Sequence, residues 1–160
     1  MIDEYMAWKA SQAEPWAKSI RKTSQRLMAR EEALDELRGR YDGLKATRYD
    51  SQGGGSPTTG DDAMVRFISQ LEEMTADWAD ALQEWAEEVR EFEAALRRID
   101  AQHDYVLTAH YLRGMTWDYI ARVMSYSEVY VRKEVRTAAL AALYDAMPPH
   151  MRSIPKAEEE

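Results

Sequence analysis

Apolar residues recur with a 4-3 spacing along residues 64–99, and this repeat constrains the fold more than any other feature of the sequence. A 3.5-residue repeat sustained over five heptads is typical of a helix that pairs with another helix. The sequence therefore predicts a long heptad helix and, with it, an all-α fold. The positions of the seam, in which only Thr75 is polar, are Met64, Ile68, Leu71, Thr75, Trp78, Leu82, Trp85, Val89, Phe92, Leu96 and Ile99.

A second, weaker seam precedes the first. It runs at the same spacing from Trp16 to Leu44 and includes the polar residues Thr23 and Arg30. Pro15 suits the first turn of such a helix, where its missing N–H costs no hydrogen bond. Two heptad helices can fold back as an antiparallel hairpin or pair between chains as a homo-oligomer, and the sequence leaves both arrangements open.

Loop-forming residues separate the two seams. The stretch RYDSQGGGSPTTGDD contains three consecutive Gly and a Pro, which favour a loop. We therefore expect five segments along the chain. They are an N-terminal helical segment at 1–47, a flexible loop at 48–61, the heptad helix at 62–100, a helix-turn-helix unit at 101–147 and a disordered tail at 148–160.

The net charge of −8 is concentrated in one segment of the chain. Residues 61–100 contain twelve acidic and four basic residues, whereas residues 101–153 contain five acidic and six basic ones. Because the acidity belongs to the heptad segment, the whole-chain charge does not exclude contact between the C-terminal segment and nucleic acid.

The absence of Cys excludes disulfides and thiolate chemistry. The first residues, MIDEYMAW, lack the basic-then-apolar order of a secretory signal. No apolar run approaches the roughly 20 residues that a membrane-spanning helix needs. We therefore expect a cytoplasmic protein with no membrane partner.

Helix start and stop signals divide the C-terminal segment into three short helices. The first is expected from about His103 to Arg113, and Gly114 supplies a left-handed stop after it. Thr116 caps a second helix that ends at Met124. A tight turn at Ser125 and Tyr126 follows, and Ser127 caps a third helix that extends to about Leu143. Helix, short turn and capped helix is the order found in helix-turn-helix proteins, whose second helix enters the DNA major groove.

The third helix is expected to turn Val131, Val135 and Ala138 inward, and its opposite face predicts contact with double-stranded DNA. Residues in the first two turns of a recognition helix reach base edges. Arg132 and Lys133 can donate to guanine, and Glu128 can accept from cytosine. Arg136 and Tyr130 suit phosphates, as do the N–H groups at the Ser127 cap. The predicted DNA-contacting residues are Thr116, Ser127, Glu128, Val129, Tyr130, Arg132, Lys133 and Arg136.

The segment GMTWDYIARVMSYSEVYVRKEV resembles the fourth conserved region of bacterial sigma factors, which has a Gly-x-Ser-aromatic-x-x-Ile-Ala pattern. The order of the elements, the Gly/Pro-rich loop and the closing YDAMPPHMRSIP resemble small phage regulators of the RinA and ArpU type. This resemblance implies activation of phage late genes in a bacterial host cell, with host RNA polymerase as a further partner. Val129 and Tyr130 depart from the pattern, in which the helix start is usually polar. The matching positions are Gly114, Thr116, Trp117, Ile120, Ala121, Met124, Ser127, Val131 and Val135.

Residues suited to catalysis or metal binding do not converge in the sequence. His103 and His110 lie seven residues apart with Asp104 nearby, but a third or fourth ligand is missing. Adjacent acids such as Glu72 and Glu73 point in different directions on a helix. We therefore expect no enzyme, no cofactor and no metal.

The sequence thus favours a sequence-specific transcriptional regulator that binds double-stranded DNA. Two alternatives remain from the same features. A phage small terminase subunit also joins a helix-turn-helix to oligomerising helices but serves DNA packaging. A coiled-coil interaction module would use the C-terminal helices to bind protein only.

Overall fold

Every regular element in the described residues is a helix, and none is a strand. The structure is a computed structural model, and it describes the backbone of residues 2–50 and 57–152 and the side chains of residues 2–43 and 62–152. Two long helices come first, α1 (Glu4–Asp50) and α2 (Pro57–Leu96). The prediction of an all-α fold is confirmed.

Shorter helices follow α2 in close succession. Helix α3 (Ala101–Leu107) continues as a π-helical turn at Thr108–Leu112, and α4 spans Trp117–Met124. Helix α5 (Glu128–Tyr130) continues through a π-helical turn at Val131–Val135 into α6 (Arg136–Ala146), so residues 128–146 form one unbroken helix, called the C-terminal helix below. Helix α3 packs against α6, and α4 packs against the start of the C-terminal helix.

Helix α1 begins twelve residues earlier than the seam at Trp16 predicts. The side chain of Asp3 accepts a hydrogen bond from the Met6 N–H at 2.7 Å and caps the helix. Pro15 therefore lies inside the helix, and its prediction as a first-turn residue is wrong. An interior Pro costs roughly 3 kcal/mol. The Asp3 cap and the burial of Ala13 and Ala17 on both sides of Pro15 offset this cost.

Both long helices extend into the segment predicted as a loop, because α1 runs to Asp50 and α2 begins at Pro57. Residues 51–56 of that loop lie outside the described residues, as do residues 153–160 of the predicted tail. The first residues of the predicted tail, 148–152, are among the described residues. A 3₁₀ turn forms at Pro149–Met151, and Arg152 donates to the Met147 carbonyl at 2.9 Å and to the Asp145 carbonyl at 3.0 Å.

Residues 25–85 form one compact unit, built from one end of each long helix. The ring of Tyr41 stacks on that of Phe67 at a centroid distance of 5.4 Å, and Arg30 lies 3.9 Å from Asp77. The earlier residue of α1 pairs with the later residue of α2, so the two helices are antiparallel and belong to the same chain. Of the two arrangements that the sequence leaves open, this unit adopts the hairpin.

The predicted heptad seam of α2 is only partly enclosed in this unit. Leu34 and Leu37 of α1 are buried, but Ile68 and Leu82 of α2 are 41% and 36% exposed. One neighbouring helix covers one side of α2, whereas the outward-facing side of the seam has no second helix against it in the described part of the unit.

The other compact unit comprises the described residues up to 24 and from 86 onward. Here too α1 and α2 are antiparallel, because Trp16 packs edge-on against Phe92 at 5.3 Å and Thr23 donates a 2.8 Å hydrogen bond to Glu88. The unit that contains the C-terminal helices therefore also includes the start of the chain. Its buried apolar residues include Ala13, Ala17, Ile20, Val89, Phe92, Leu96, Val106, Leu107, Ile120, Val131, Val135, Leu140 and Leu143.

Candidate nucleic-acid interface

Helix α4 begins and ends where its local sequence predicts. Thr116 has an extended backbone, and its hydroxyl oxygen accepts a 3.2 Å hydrogen bond from the Tyr119 N–H. Gly114, two residues earlier, has a φ of +71°. Because L side chains rarely adopt this conformation, glycine at this position lets the chain leave the π-helical turn and start a new helix within a few residues.

The turn between α4 and the C-terminal helix is built around a second left-handed residue. Ser125 has a φ of 60° and a ψ of 36°. Its N–H donates to the Arg122 carbonyl at 3.2 Å, and the Tyr126 N–H donates to the Ala121 carbonyl at 3.0 Å. These two bonds form a Schellman motif, which satisfies the carbonyls at the end of α4. The turn is thus three residues long, 125–127.

Ser127 caps the C-terminal helix as predicted. Its hydroxyl oxygen accepts a 3.2 Å hydrogen bond from the Tyr130 N–H. Val131 is completely buried and Val135 almost so, as the predicted inward face requires. The predicted inward residue Ala138 is only half-buried, whereas its neighbour Ala139 is fully buried, because the π-helical turn at Val131–Val135 rotates the later residues relative to an ideal α-helix.

The outward face of the C-terminal helix has Val129 and Lys133 at its centre. Val129 is 51% exposed, and Lys133, one turn further on, is also exposed. Because Val131 and Val135 are buried, both exposed side chains point away from the core. The Lys133 ammonium has no ion-pair or hydrogen-bond partner among the described residues.

The flanks of this face are polar on one side and aromatic on the other. Arg132 forms an ion pair with the half-buried Glu128, four residues earlier, at 3.2 Å. An exposed pair of this kind contributes little to stability, so Arg132 can exchange this partner for another anion. Tyr130 is half exposed and packs edge-on against Tyr126 at a centroid distance of 5.2 Å.

Arg136 does not lie on the outward face of the C-terminal helix, so its predicted place among the residues of that face is wrong. Its guanidinium forms an ion pair with Glu14 of α1 and lies 5.9 Å from the centre of the Trp117 ring. Its Nε atom is buried and has no hydrogen-bond partner. Because Glu14 and Trp117 hold the side chain toward the core of the unit, Arg136 supports the packing of the C-terminal helix rather than its exposed surface.

His110 lies in the core beside the start of α4. Its Nδ1 lies 2.8 Å from the Met115 carbonyl, which can only accept, so Nδ1 carries the proton and donates. The unprotonated Nε2 then accepts from the Arg21 guanidinium at 3.1 Å. The ring also stacks on Trp117 at 3.9 Å. Burial lowers the pKa of His110 below its ordinary value of 6.5; nearby Arg21 and Arg136 lower it further, and the hydrogen bond to Met115 opposes the shift.

Apolar residues on the exposed side of α4 were not predicted from the sequence. Tyr119 and Val123 lie four residues apart and are about half exposed, and Tyr126 follows in the turn. Their spacing of four residues on one face, opposite the buried Ala121, is the signal that would have identified them. They make the surface around the turn more apolar than a solvated helix pair requires.

Groups able to hold a metal ion do not assemble within the described residues, where no cluster of three or more His, Asp or Glu side chains occurs. His103 is half-buried in α3, whereas His110 is bonded as described above.

Comparison with known proteins identified no related protein. No protein-family model, no curated protein and no solved structure matches this chain. Within the described residues, no helix combines the length and the apolar character needed to span a membrane.

Proposed function

We propose that this chain is a sequence-specific DNA-binding protein that regulates transcription. The observation that supports this proposal is the exposed face of the C-terminal helix. The helix follows a three-residue turn, its N-terminus is capped by Ser127, and Lys133 projects from its second turn without a partner among the described residues. This is the arrangement in which helix-turn-helix proteins place a recognition helix in the major groove.

The charges around the turn suit a duplex ligand better than the whole-chain charge suggests. Arg122 pairs with Asp118 and Arg132 pairs with Glu128, so each pair is neutral overall, and Lys133 adds one positive charge. Both pairs are exposed and join residues four apart, and such pairs open readily. A phosphate backbone would compete with these carboxylates for Arg122 and Arg132, whereas Lys133 is available to it directly.

The regulatory part of the proposal comes from the resemblance to phage regulators of the RinA and ArpU type. Under this proposal the bound DNA is a promoter of phage late genes, host RNA polymerase is a further partner, and the host is bacterial. A homo-oligomer formed through the long helices would bring two recognition helices to one operator. The half-exposed Ile68 and Leu82 on α2 offer apolar surface for such a contact.

Selection from a random duplex pool, followed by titration of variants, tests the DNA-binding function. Lys133→Ala should weaken binding to the selected duplex by about 1–3 kcal/mol, because a donor to a base edge is lost. Lys22→Ala removes the same charge from an exposed position on α1 and is the matched control. It should change the affinity less than about twofold, as expected of a charge outside the contact region.

The DNA-binding function fails if the folded chain enriches no duplex from the pool, or if the two lysine variants weaken binding equally. Regulation is tested separately, by transcription from a promoter that contains the selected duplex, with and without the protein. Binding without any change in transcript level would leave DNA binding in place and remove the regulatory role.

A further inference from the structure

An aliphatic side chain lies in the first turn of the C-terminal helix, on its outward face. Val129 is the second residue after the Ser127 cap, and half of its surface is exposed. It points away from the core together with Lys133, while the neighbouring cation Arg132 lies to one side and pairs with Glu128. A recognition helix contacts base edges with its first turns, so Val129 would be in the contact region.

Base edges in the major groove differ in what they offer to an aliphatic side chain. Guanine, adenine and cytosine present hydrogen-bond donors and acceptors, and thymine alone adds a C5-methyl group. Valine has no polar atom in its side chain. When it is pressed against a purine or cytosine edge, it displaces water from polar groups that then lack a partner. Against thymine it buries a methyl group instead.

We propose that Val129 recognises the 5-methyl group of a thymine in the major groove of the bound duplex. This inference rests on the DNA-binding function proposed above and adds to it the residue and the base that determine specificity. Tyr130, packed on Tyr126, extends the apolar surface beside Val129. Lys133 and Arg132, one turn further along, supply the positive charge that brings the duplex to this surface.

Deoxyuridine provides the direct test, since it differs from thymidine only by the missing methyl group. The probe is the duplex selected from the random pool by the full-length chain, with each thymidine replaced in turn by deoxyuridine. At one position per bound helix, the replacement should weaken binding by a factor of about four, the effect that burial of a single methyl group produces. Other positions should change little.

Two valine variants decide whether Val129 is responsible. With Val129→Ala, the thymidine and deoxyuridine duplexes should bind equally well at the sensitive position. Val123→Ala is the matched control, because Val123 is 54% exposed and lies on α4 rather than on the C-terminal helix. That variant should keep the full difference. Both positions are exposed in helices, so alanine is compatible with folding, and melting curves check this for each variant.

The outcomes separate this inference from the function on which it rests. If the chain binds a selected duplex but no deoxyuridine replacement changes the affinity, thymine recognition is refuted and DNA binding stands. The same holds if the difference persists in Val129→Ala or disappears equally in Val123→Ala. If no duplex is enriched at all, DNA binding itself fails, and the exposed apolar residues would then serve contact with a protein.

Discussion

At the scale of single residues, His110 couples the stability of the candidate DNA-binding unit to pH. The neutral ring uses both nitrogens, with Nδ1 donating to Met115 and Nε2 accepting from Arg21. A proton on Nε2 would remove that acceptor and place a third positive charge beside Arg21 and Arg136. Arg136 is itself paired with Glu14. The folded state therefore favours the neutral imidazole.

The sign of the pH effect follows from the direction of the shift. Burial lowers the pKa of His110 in the folded state, so below about pH 6.5 the unfolded chain binds more protons than the folded one. We expect the melting temperature to fall as the pH decreases from 7.5 to 5.5. His110→Gln keeps a neutral donor and acceptor and should flatten this dependence, which thermal melts across the pH range would measure.

His103→Gln is the control for this experiment, because it removes a half-buried histidine of α3 from the same unit. The pH dependence should survive in that variant. An equal flattening in both variants would mean that the dependence does not come from the His110 site.

At the scale of the elements, α4 has a left-handed residue at each end. Gly114 precedes it with a φ of +71°, and Ser125 ends it with a φ of +60°. A non-glycine residue in this conformation costs roughly 1–2 kcal/mol. Before α4 the left-handed position is therefore occupied by glycine, which adopts this conformation without cost, and after α4 it is occupied by serine, which does not.

Substitutions at the two ends should have opposite effects on stability. Gly114→Ala should lower the free energy of unfolding by about 1–2 kcal/mol. A Cβ atom there would meet nothing within 4 Å, so the loss reflects backbone conformation alone. Ser125→Gly should raise the free energy of unfolding by a few tenths to about 1 kcal/mol, since part of the gain is offset by the greater entropy of unfolded glycine. Denaturant titration measures both, and changes of the same sign would contradict the described turns.

At the scale of the whole molecule, the C-terminal helices depend on the start of the chain. Trp8 packs edge-on against Tyr144 at a centroid distance of 5.3 Å, and Lys9 lies 2.8 Å from Asp145. These contacts cross more than 130 residues of sequence and lie in the same compact unit. The candidate DNA-binding unit is therefore discontinuous in sequence, and the predicted segment 101–147 is only one part of it.

Removal of the Trp8 ring should therefore destabilise a helix far away in the sequence. We expect Trp8→Ala to lower the free energy of unfolding by about 1–3 kcal/mol. This is less than the roughly 3–5 kcal/mol that truncation of a fully buried Trp costs. Hydrogen-exchange protection at Leu140 and Leu143 should decrease as well. Met28→Ala removes a large side chain from the same helix, at a position that is 53% exposed and lies in the other compact unit, and should cost less than about 0.5 kcal/mol. Loss of protection confined to α1 would show that the two ends of the chain fold independently.

The sequence by itself determined the features that depend on neighbours within a few residues. The caps at Thr116 and Ser127 each bond to an N–H three residues away, and the left-handed Gly114 and the tight turn at Ser125 follow from local backbone geometry. The heptad spacing was sufficient to predict the all-α fold. Such interactions can be predicted because their partners are adjacent in the sequence.

Only the tertiary structure decided which exposed groups are available and which are already bound. Arg136 finds Glu14 across 122 residues, and His110 finds Arg21 across 89. Asp3 starts α1 ahead of Pro15 because the first turns of α1 are packed in the same unit as the C-terminal helices. A charge or a ring has the same local sequence signature whether its partner is water or a side chain from the other end of the chain. The difference lies in burial and long-range pairing, which exist only once the chain is folded.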